Sequence, residues 1–275
     1  MIDPNIATDL ILHLLKRITD YDFTHYSLPV LQRRIDAFIK KHSLTGYSDL
    51  FVKLLEGDEG LAQKLIQSLT ITYSMFFRDP EYFERLHFSV IPKISVHAKI
   101  KVWSLGCATG EEMYSLACLF KINQVLERTQ LIGTDINEVA LERARQGSYA
   151  LERLDELEHQ FKVMKLDRRY SLIDAIDVTD QSFSFNQKMR KQCQFTKHNI
   201  VSGGSLGLMH LVSCRNLLIY LHRDEQLRII QDLLIPSVAP GGYLLLGSAE
   251  SIDLEFELSN MKKVANGVNI YQIPQ

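Results

Sequence analysis

Two stretches of the sequence carry residue types suited to holding a ligand. In Val102-Trp103-Ser104-Leu105-Gly106-Cys107-Ala108-Thr109-Gly110-Glu111-Glu112, an apolar β-type run passes through two glycines into a helical run. Gly106 and Gly110 let the main chain turn tightly and approach a ligand with no Cβ in the way. The spacing is not the G-x-G-x-x-G of dinucleotide sites, so a pyrophosphate cradle is not indicated. Glu111 and Glu112 suit the positive end of a helix but would repel a phosphate there. A ligand with a cationic or neutral group beside the loop meets this requirement. S-adenosylmethionine, with its ammonium and sulfonium, does so; NAD and ATP do not. Asp135 closes the next β-type run, Ile132-Gly133-Thr134-Asp135-Ile136, where a carboxylate can accept both hydroxyls of a ribose. Each such charge-assisted bond contributes about 1.5–3 kcal/mol. The competing local reading makes Gly106 a strand-end turn and Asp135 a cap for a helix starting near Asn137.

Other chemistries find no support. The nine histidines include no pair three or four apart on a helix, and neither H-E-x-x-H nor a Cys/His cluster occurs, so no metal site is expected. Cys107, Cys118, Cys193 and Cys214 form no C-x-x-C pair and read as free, partly buried thiols of a cytoplasmic protein. No Ser/His/Asp or Cys/His arrangement is apparent.

The elements that must position these residues follow from periodicity. From Lys99 onward, β-type runs alternate with helical ones: strands at Ile100–Leu105, Gln130–Ile136, Cys193–Lys197, Leu208–Cys214 and Tyr243–Gly247, and helices at Glu111–Glu127, Asn137–Gln146 and Arg223 to about Leu234. Pro240-Gly241-Gly242 reads as the turn before the last strand. This alternation implies an α/β fold with a doubly wound, mostly parallel, Rossmann-like sheet, whose ligands sit at the carboxyl ends of the strands. Asn266-Gly267, between Val264 and Val268-Asn269-Ile270-Tyr271, predicts a terminal hairpin. Residues 148 to 193 fit the alternation poorly; Phe183 and Phe185 alternate with polar residues, which suggests an insertion over about 160–193 with a small antiparallel sheet. Residues 1–80 have a helical period: Ile11, Leu14, Leu15 and Ile18; Leu31, Ile35, Phe38 and Ile39; Leu50, Leu54 and Leu55; then Leu61, Leu65, Ile66 and Leu69. The expected organisation is a helical domain over 1–80 and an α/β domain over 81–275.

The 275 residues carry 31 Lys plus Arg against 33 Asp plus Glu, a net charge of −2. No global basic field exists to hold nucleic acid or an anionic membrane, so such contacts would have to be local. The apolar runs fall far short of the roughly 20 residues a spanning helix needs. The N-terminus lacks a basic n-region and a cleavage site, and does not read as a secretory signal.

The segment VWSLGCATGEEMYSLA resembles the first cofactor motif of the bacterial chemotaxis receptor glutamate methyltransferases (CheR type). Upstream, SLTITYSMFFRDPEYF resembles that family's T-x-F-F-R-D-x-x-x-F segment; LERARQGSY, FTKHNI, SCRNLLIYL, PGGYLLLGSAES and the closing hairpin follow in the family's order. The resemblance covers about residues 20 to 273. It implies an S-adenosyl-L-methionine-dependent O-methyltransferase that esterifies glutamate side chains of methyl-accepting chemotaxis receptors and releases S-adenosyl-L-homocysteine. The partner would be the cytoplasmic domain of those receptors. The protein would be a cytoplasmic monomer, with no nucleic-acid partner and no membrane insertion. An adaptor that binds the cofactor with weak catalysis, or a methyltransferase for another carboxylate, are the alternatives.

By the same resemblance, Glu112 holds the methionine part of the cofactor, Asp135 the ribose, and Asn199 with Ile200 the adenine. Arg215 and Asn216 line the pocket near the methionine. Arg78 falls close to the transferred methyl, as does Tyr220. Thr72 and Ser74 match two further cofactor positions where members carry Asn and Thr; Thr72 cannot reproduce both hydrogen-bonding functions of an amide. The helix containing Leu31 to Lys41 presents Arg33, Arg34, Lys40 and Lys41 opposite its apolar face. A solvated face explains such a pattern; the resemblance implies that it meets the acidic methylation helices of the receptor. The insertion resembles in position the family's β-subdomain, which in some members docks a receptor's C-terminal peptide.

Overall fold

The computed structural model describes residues 3–19, 21–70, 72–164, 166, 171–250 and 261–274. Contacts divide the chain into two compact units, Met1–Ile71 with Ile219–Gln226, and Thr72–Leu218 with Leu227–Gln275.

The first unit holds four helices, α1 (Pro4–Ile18), α2 (Leu28–Lys41), α3 (Tyr47–Leu55) and α4 (Glu59–Leu69). Their ends follow local chemistry. The Asp3 carboxylate accepts the Asn5 N–H ahead of Pro4, and Asp58 accepts the Leu61 N–H at 2.9 Å. Ile11, Leu12, Leu15, Leu31, Ile35, Phe38, Leu50, Leu54, Leu65 and Leu69 form its core with Phe23. Ile18 and Leu55, expected on the apolar faces, end their helices pointing to solvent, and Leu12 is buried instead. The segment 219–226 joins this unit by main-chain bonds: Ser27 N–H donates to the Tyr220 carbonyl at 2.8 Å, and His222 N–H to the His25 carbonyl at 3.0 Å.

The second unit begins with two short helices, α5 (Pro80–Arg85) and α6 (Ile91–Ile94). Then follow β1 (Ile100–Leu105), α7 (Glu111–Ile122), β2 (Thr129–Asp135), α8 (Glu138–Gln146), β3 (Ser148–Ala150), α9 (Glu152–Val163), β4 (Ile176–Val178), β5 (Ser182–Phe185), α10 (Gln187–Gln192), β6 (Cys193–Lys197), β7 (Met209–Cys214), α11 (Arg223–Ile229, which begins in the first unit), β8 (Val238–Leu246), β9 (Lys262–Lys263) and β10 (Ile270–Gln272). The main sheet runs β6-β2-β1-β7-β8-β10-β9. Its first five strands are parallel, and β10 and β9 add the antiparallel hairpin expected at the end. Strands run away from β1 on both sides, so the order reverses between β1 and β7, where α/β folds open a crevice for ligands.

Three expectations change. The helix expected to reach Glu127 stops at Ile122, because the Asn123 amide donates to the Leu119 carbonyl and Gln124 turns left-handed at φ 60°. The helix after Arg223 is α-helical only to Ile229 and continues as a π-type turn over Ile230–Leu234. Pro240-Gly241-Gly242 is a bulge inside β8 rather than a turn before it. Met209 pairs with Val238 but Leu211 with Tyr243, and Gly241 stands at φ 75° with its N–H given to the Pro274 carbonyl. The insertion contains an antiparallel sheet, β3-β5-β4, that starts at Ser148. Phe183 and Phe185 are its buried face. Of Leu166-Asp167-Arg168-Arg169, only Leu166 lies within the described residues.

Candidate functional site

The carboxyl ends of β1, β2 and β7 converge on a group of carboxylates held by named partners. Ser104 on β1 and Ser213 on β7 are paired in register, and both hydroxyls donate to Glu112 Oε1, at 2.9 and 2.7 Å. Arg215 Nη1 lies 3.2 Å from Glu112 Oε2. Arg215 is almost fully buried, with its guanidinium 4.5 Å from the centre of the Tyr82 ring. Its Nη2 donates to the Arg78 carbonyl at 2.7 Å and to Asp79 Oδ2 at 2.8 Å. One cation thus fixes Glu112 and ties the 78–79 main chain to the end of β7. Its Nε is buried without a hydrogen-bond partner among the described residues.

Asp135 is buried, and its oxygens accept the N–H groups of Ala108 and Asn137, each at 2.9 Å. It does not cap α8; the Asn137 side chain does, accepting the Ala140 N–H. Burial pushes the Asp135 carboxyl above the ordinary range, opposed by N–H donation from Asn137, Ala108 and Ile136. A carboxylate offers about four lone-pair sites, so main-chain donors leave it capacity for hydroxyls. Asn199 has its Oδ1 committed to the Val201 N–H at 2.9 Å, which fixes its amide NH₂ as a donor for an acceptor such as a purine ring nitrogen. Ile200 beside it is buried.

Backbone strain concentrates here. Phe77, Asp79, Ala108 and Asn216 all have left-handed φ, at 47°, 56°, 47° and 58°. Each such residue costs of order 1–3 kcal/mol and persists only where the surroundings enforce it. Phe77 and Asp79 flank Arg78, whose guanidinium has no ion-pair partner among the described residues. The Phe77 N–H is held by Ser115 Oγ at 2.9 Å. Asn216 is held by Glu250, a buried carboxylate that accepts the N–H groups of Asn216, Leu217, Leu218 and Gly247 at 2.6 to 2.8 Å. Gly247 admits this arrangement because a Cβ would stand 2.7 Å from Glu250 Oε2 and 2.9 Å from the Asn216 nitrogen.

Residues 72–267 match the family described as CheR methyltransferase, SAM binding domain, and residues 7–70 match CheR methyltransferase, all-alpha domain. The chain belongs to the CheR methyltransferase family. It is similar to the Cher3 protein of Pseudomonas putida, 35% identical over 85% of this chain and 84% of that one. It is also similar to proteins named chemotaxis protein methyltransferase from Listeria innocua, 30% identical over 87% of each chain, and Borreliella burgdorferi, 25% identical over 90% of each. This CheR chain is accordingly a methyltransferase that uses S-adenosylmethionine. The residues present fit that cofactor: Asp135, bonded to Ala108 of the loop after β1, has lone pairs left for hydroxyls, and Glu112 Oε2, already paired with Arg215, has room for one more donor.

Of the residues the sequence singles out, the second unit of the CheR chain brings together Glu112, Arg215 and the Arg78 main chain, with Asn216 next in the chain to Arg215. It also places Asp135 on the loop after β1 through Ala108. Thr72 and Ser74 are half-buried, and the Ser74 carbonyl accepts from Arg153 at 3.0 Å. Tyr220 belongs to the first unit. On α2, Arg33, Lys40 and Lys41 are exposed, whereas Arg34 is half-buried and gives Nη1 to the Ser68 carbonyl at 2.9 Å, closing the end of α4. Burial lowers the Arg34 pKa from its ordinary value. Sequence reasoning passes over Ser104, Ser213, Asp79, Arg153 and Glu250. A single charged residue four positions beyond the apolar run Tyr243–Leu246 is the one signal that marks Glu250. The open cavity lined by Lys121, Asp174, Asn186 and Met189 lies at the far end of α7 and shares no residue with this group.

Among the described residues no helix is long and apolar enough to cross a membrane, and no His/Cys/Asp/Glu group has the geometry of a metal site. All four cysteines are free and buried. Burial, with Asp135 and Glu112 nearby, pushes the Cys107 thiol well up, so it is no nucleophile at neutral pH.

Proposed function

We propose that this protein methylates glutamate side chains on the cytoplasmic domain of chemotaxis receptors, giving glutamate methyl esters. The observation that carries the reading is Arg78, a guanidinium with no ion-pair partner among the described residues, on a main chain fixed by Arg215 between two left-handed residues. An unpaired, permanently charged guanidinium suits a carboxylate substrate and cannot act as a base. No base is required, since a glutamate with an unperturbed pKa of about 4.3 is already ionised at neutral pH.

Bound S-adenosylmethionine supplies an electrophilic methyl group on a sulfonium. Glu112 receives its ammonium, Asp135 its ribose hydroxyls, and Asn199 with Ile200 its adenine. Arg215 and Asn216 shape the wall beside the methionine, with Thr72 and Ser74 completing it. Arg78 would draw in and orient the substrate carboxylate for attack on the methyl carbon, and Tyr220 is the second residue that the family resemblance assigns to the transfer. Alignment of this kind is worth roughly 10⁵–10⁸ M in effective concentration. The receptor's acidic helices meet the exposed basic residues of α2, Arg33, Lys40 and Lys41, in the helical domain; Arg34 supports that helix from behind. The proposal has the protein acting in the cytoplasm, as a monomer.

The test is transfer of labelled methyl from S-adenosylmethionine to receptor cytoplasmic fragments, scored as base-labile label. Label lost on mild alkali and absent from fragments whose methyl-accepting glutamates are alanine is the expected result. Cofactor binding without incorporation into any fragment would replace the enzyme reading with an adaptor. Label on an unrelated acid would move the substrate elsewhere.

A further inference from the structure

Arg153 lies on α9, in the inserted subdomain, and besides Glu156 of its own helix its guanidinium reaches Glu111 and Ser74 outside it. Nη1 donates to the carboxylate of Glu111, a fully buried residue in the first turn of α7, whose other oxygen takes the Thr109 hydroxyl at 2.6 Å. Nη2 donates to the Ser74 carbonyl and to Glu156 Oε1, both at 3.0 Å. Glu156 Oε1 in turn accepts the Phe76 N–H at 3.1 Å. The Phe76 ring lies 5.4 Å below the guanidinium and packs on Tyr149, Phe183 and Phe185, with centroids 4.9, 5.9 and 5.9 Å away. The stretch 72–75 has no regular secondary structure. Its Ser74 carbonyl and the adjoining Phe76 N–H are instead held by two side chains of α9.

We infer that Arg153 is a positioning residue for the cofactor site, setting the 72–78 segment against the loop after β1 and making the insertion a working part of that site. The inference rests on the reading above that Thr72, Ser74 and Arg78 face the cofactor. Neutralising Glu111 is a separate duty, since a buried carboxylate needs a cation. The two duties differ in geometry. A planar fork reaches Glu111 and the Ser74 carbonyl at once, whereas an ammonium on a flexible stem supplies the charge without the fixed span.

Arg153→Lys separates them, with S-adenosylhomocysteine as the probe. Calorimetry is expected to show affinity weakened at least fivefold, about the lower end of usual site-to-site coupling. Coupling is reciprocal, so S-adenosylhomocysteine should slow amide hydrogen exchange in β3 and β5 of the wild-type chain, and do so less in the Lys variant. Wild-type affinity and wild-type protection in the Lys variant would overturn the proposal and leave Arg153 a counterion. Should that variant fail to fold, Arg153→Gln with Glu111→Gln removes the buried carboxylate and its half-buried partner together; the same loss of affinity supports the proposal and its absence overturns it. Thr72→Ala with Ser74→Ala tests the underlying reading by itself. Unchanged affinity there would remove those two residues from the site, whatever Arg153 does.

Discussion

The carboxylate of Glu250 accepts the main-chain N–H of Asn216 at 2.8 Å and holds that residue in its left-handed conformation at the end of β7. The same group takes the N–H groups of Leu217, Leu218 and Gly247. Glu250→Gln substitutes one acceptor oxygen by an NH₂ that faces donors, leaving two buried N–H groups unpaired. At about 1–3 kcal/mol for each unsatisfied group, the variant should lose about 3 kcal/mol in urea unfolding and weaken S-adenosylhomocysteine binding as Arg215 loses its register. A change in stability below about 0.5 kcal/mol would show that the turn forms without the carboxylate.

Asp135→Ala should weaken S-adenosylmethionine by about 1.5–3 kcal/mol, roughly tenfold to two-hundredfold. Affinity within twofold of wild type would remove the ribose role. The pH dependence has a defined sign. Because burial holds the folded-state pKa above the ordinary range, the ligand-free protein gains stability as pH falls through that pKa, while the ionised form that binds hydroxyls is lost. Calorimetry should therefore show affinity declining at a higher pH than an exposed aspartate would give, and Asp135→Ala should flatten that decline.

Reversing Arg33, Lys40 and Lys41 to Glu should slow methylation of receptor fragments, most at low salt, with S-adenosylhomocysteine affinity unchanged. Arg34→Glu should behave differently, lowering the melting temperature, since it strips the bond to the Ser68 carbonyl. Equal methylation rates for the triple variant and wild type at low ionic strength would refute the basic-helix role.

Acid should weaken the helical unit through Asp22. Burial raises its pKa, but the Lys16 ammonium at 2.7 Å and the Thr24 hydroxyl and N–H outweigh it and bring the carboxyl to about 2. A depressed folded pKa contributes stability above the unfolded value and loses it as pH falls from about 4 to about 2. Allowing for the exposure of Lys16, the contribution is about 1–2 kcal/mol. Asp22→Asn should cost that amount at pH 7 and reduce the pH dependence of unfolding below pH 4, followed by circular dichroism.

The main sheet was legible because its strands are apolar runs bounded by Gly, Asp or Cys-Arg-Asn; β1 and β6 start and stop where the sequence predicts. The bulge in β8 was not, because a Pro-Gly-Gly turn and a Pro-Gly-Gly bulge read alike until the partner strand is known. At the site, Glu112 and Asp135 stood out as acids at strand ends. Ser104, Ser213 and Glu250 did not, since their meaning lies in partners from 8 to 101 residues away. Arg34 looked like a surface charge from its helical phase, and only the carbonyl of Ser68, contributed by α4, accounts for its partial burial.

The first unit borrows residues 219–226 from a chain that has already built most of the second. Expression clones cut between 71 and 72 would therefore yield neither half whole: the N-terminal piece lacks the strip that bonds to His25 and Ser27, and the C-terminal piece carries it unpaired. The two family segments are adjacent in sequence but are not interchangeable cassettes, and shuffling one between relatives requires moving Ile219–Gln226 with it.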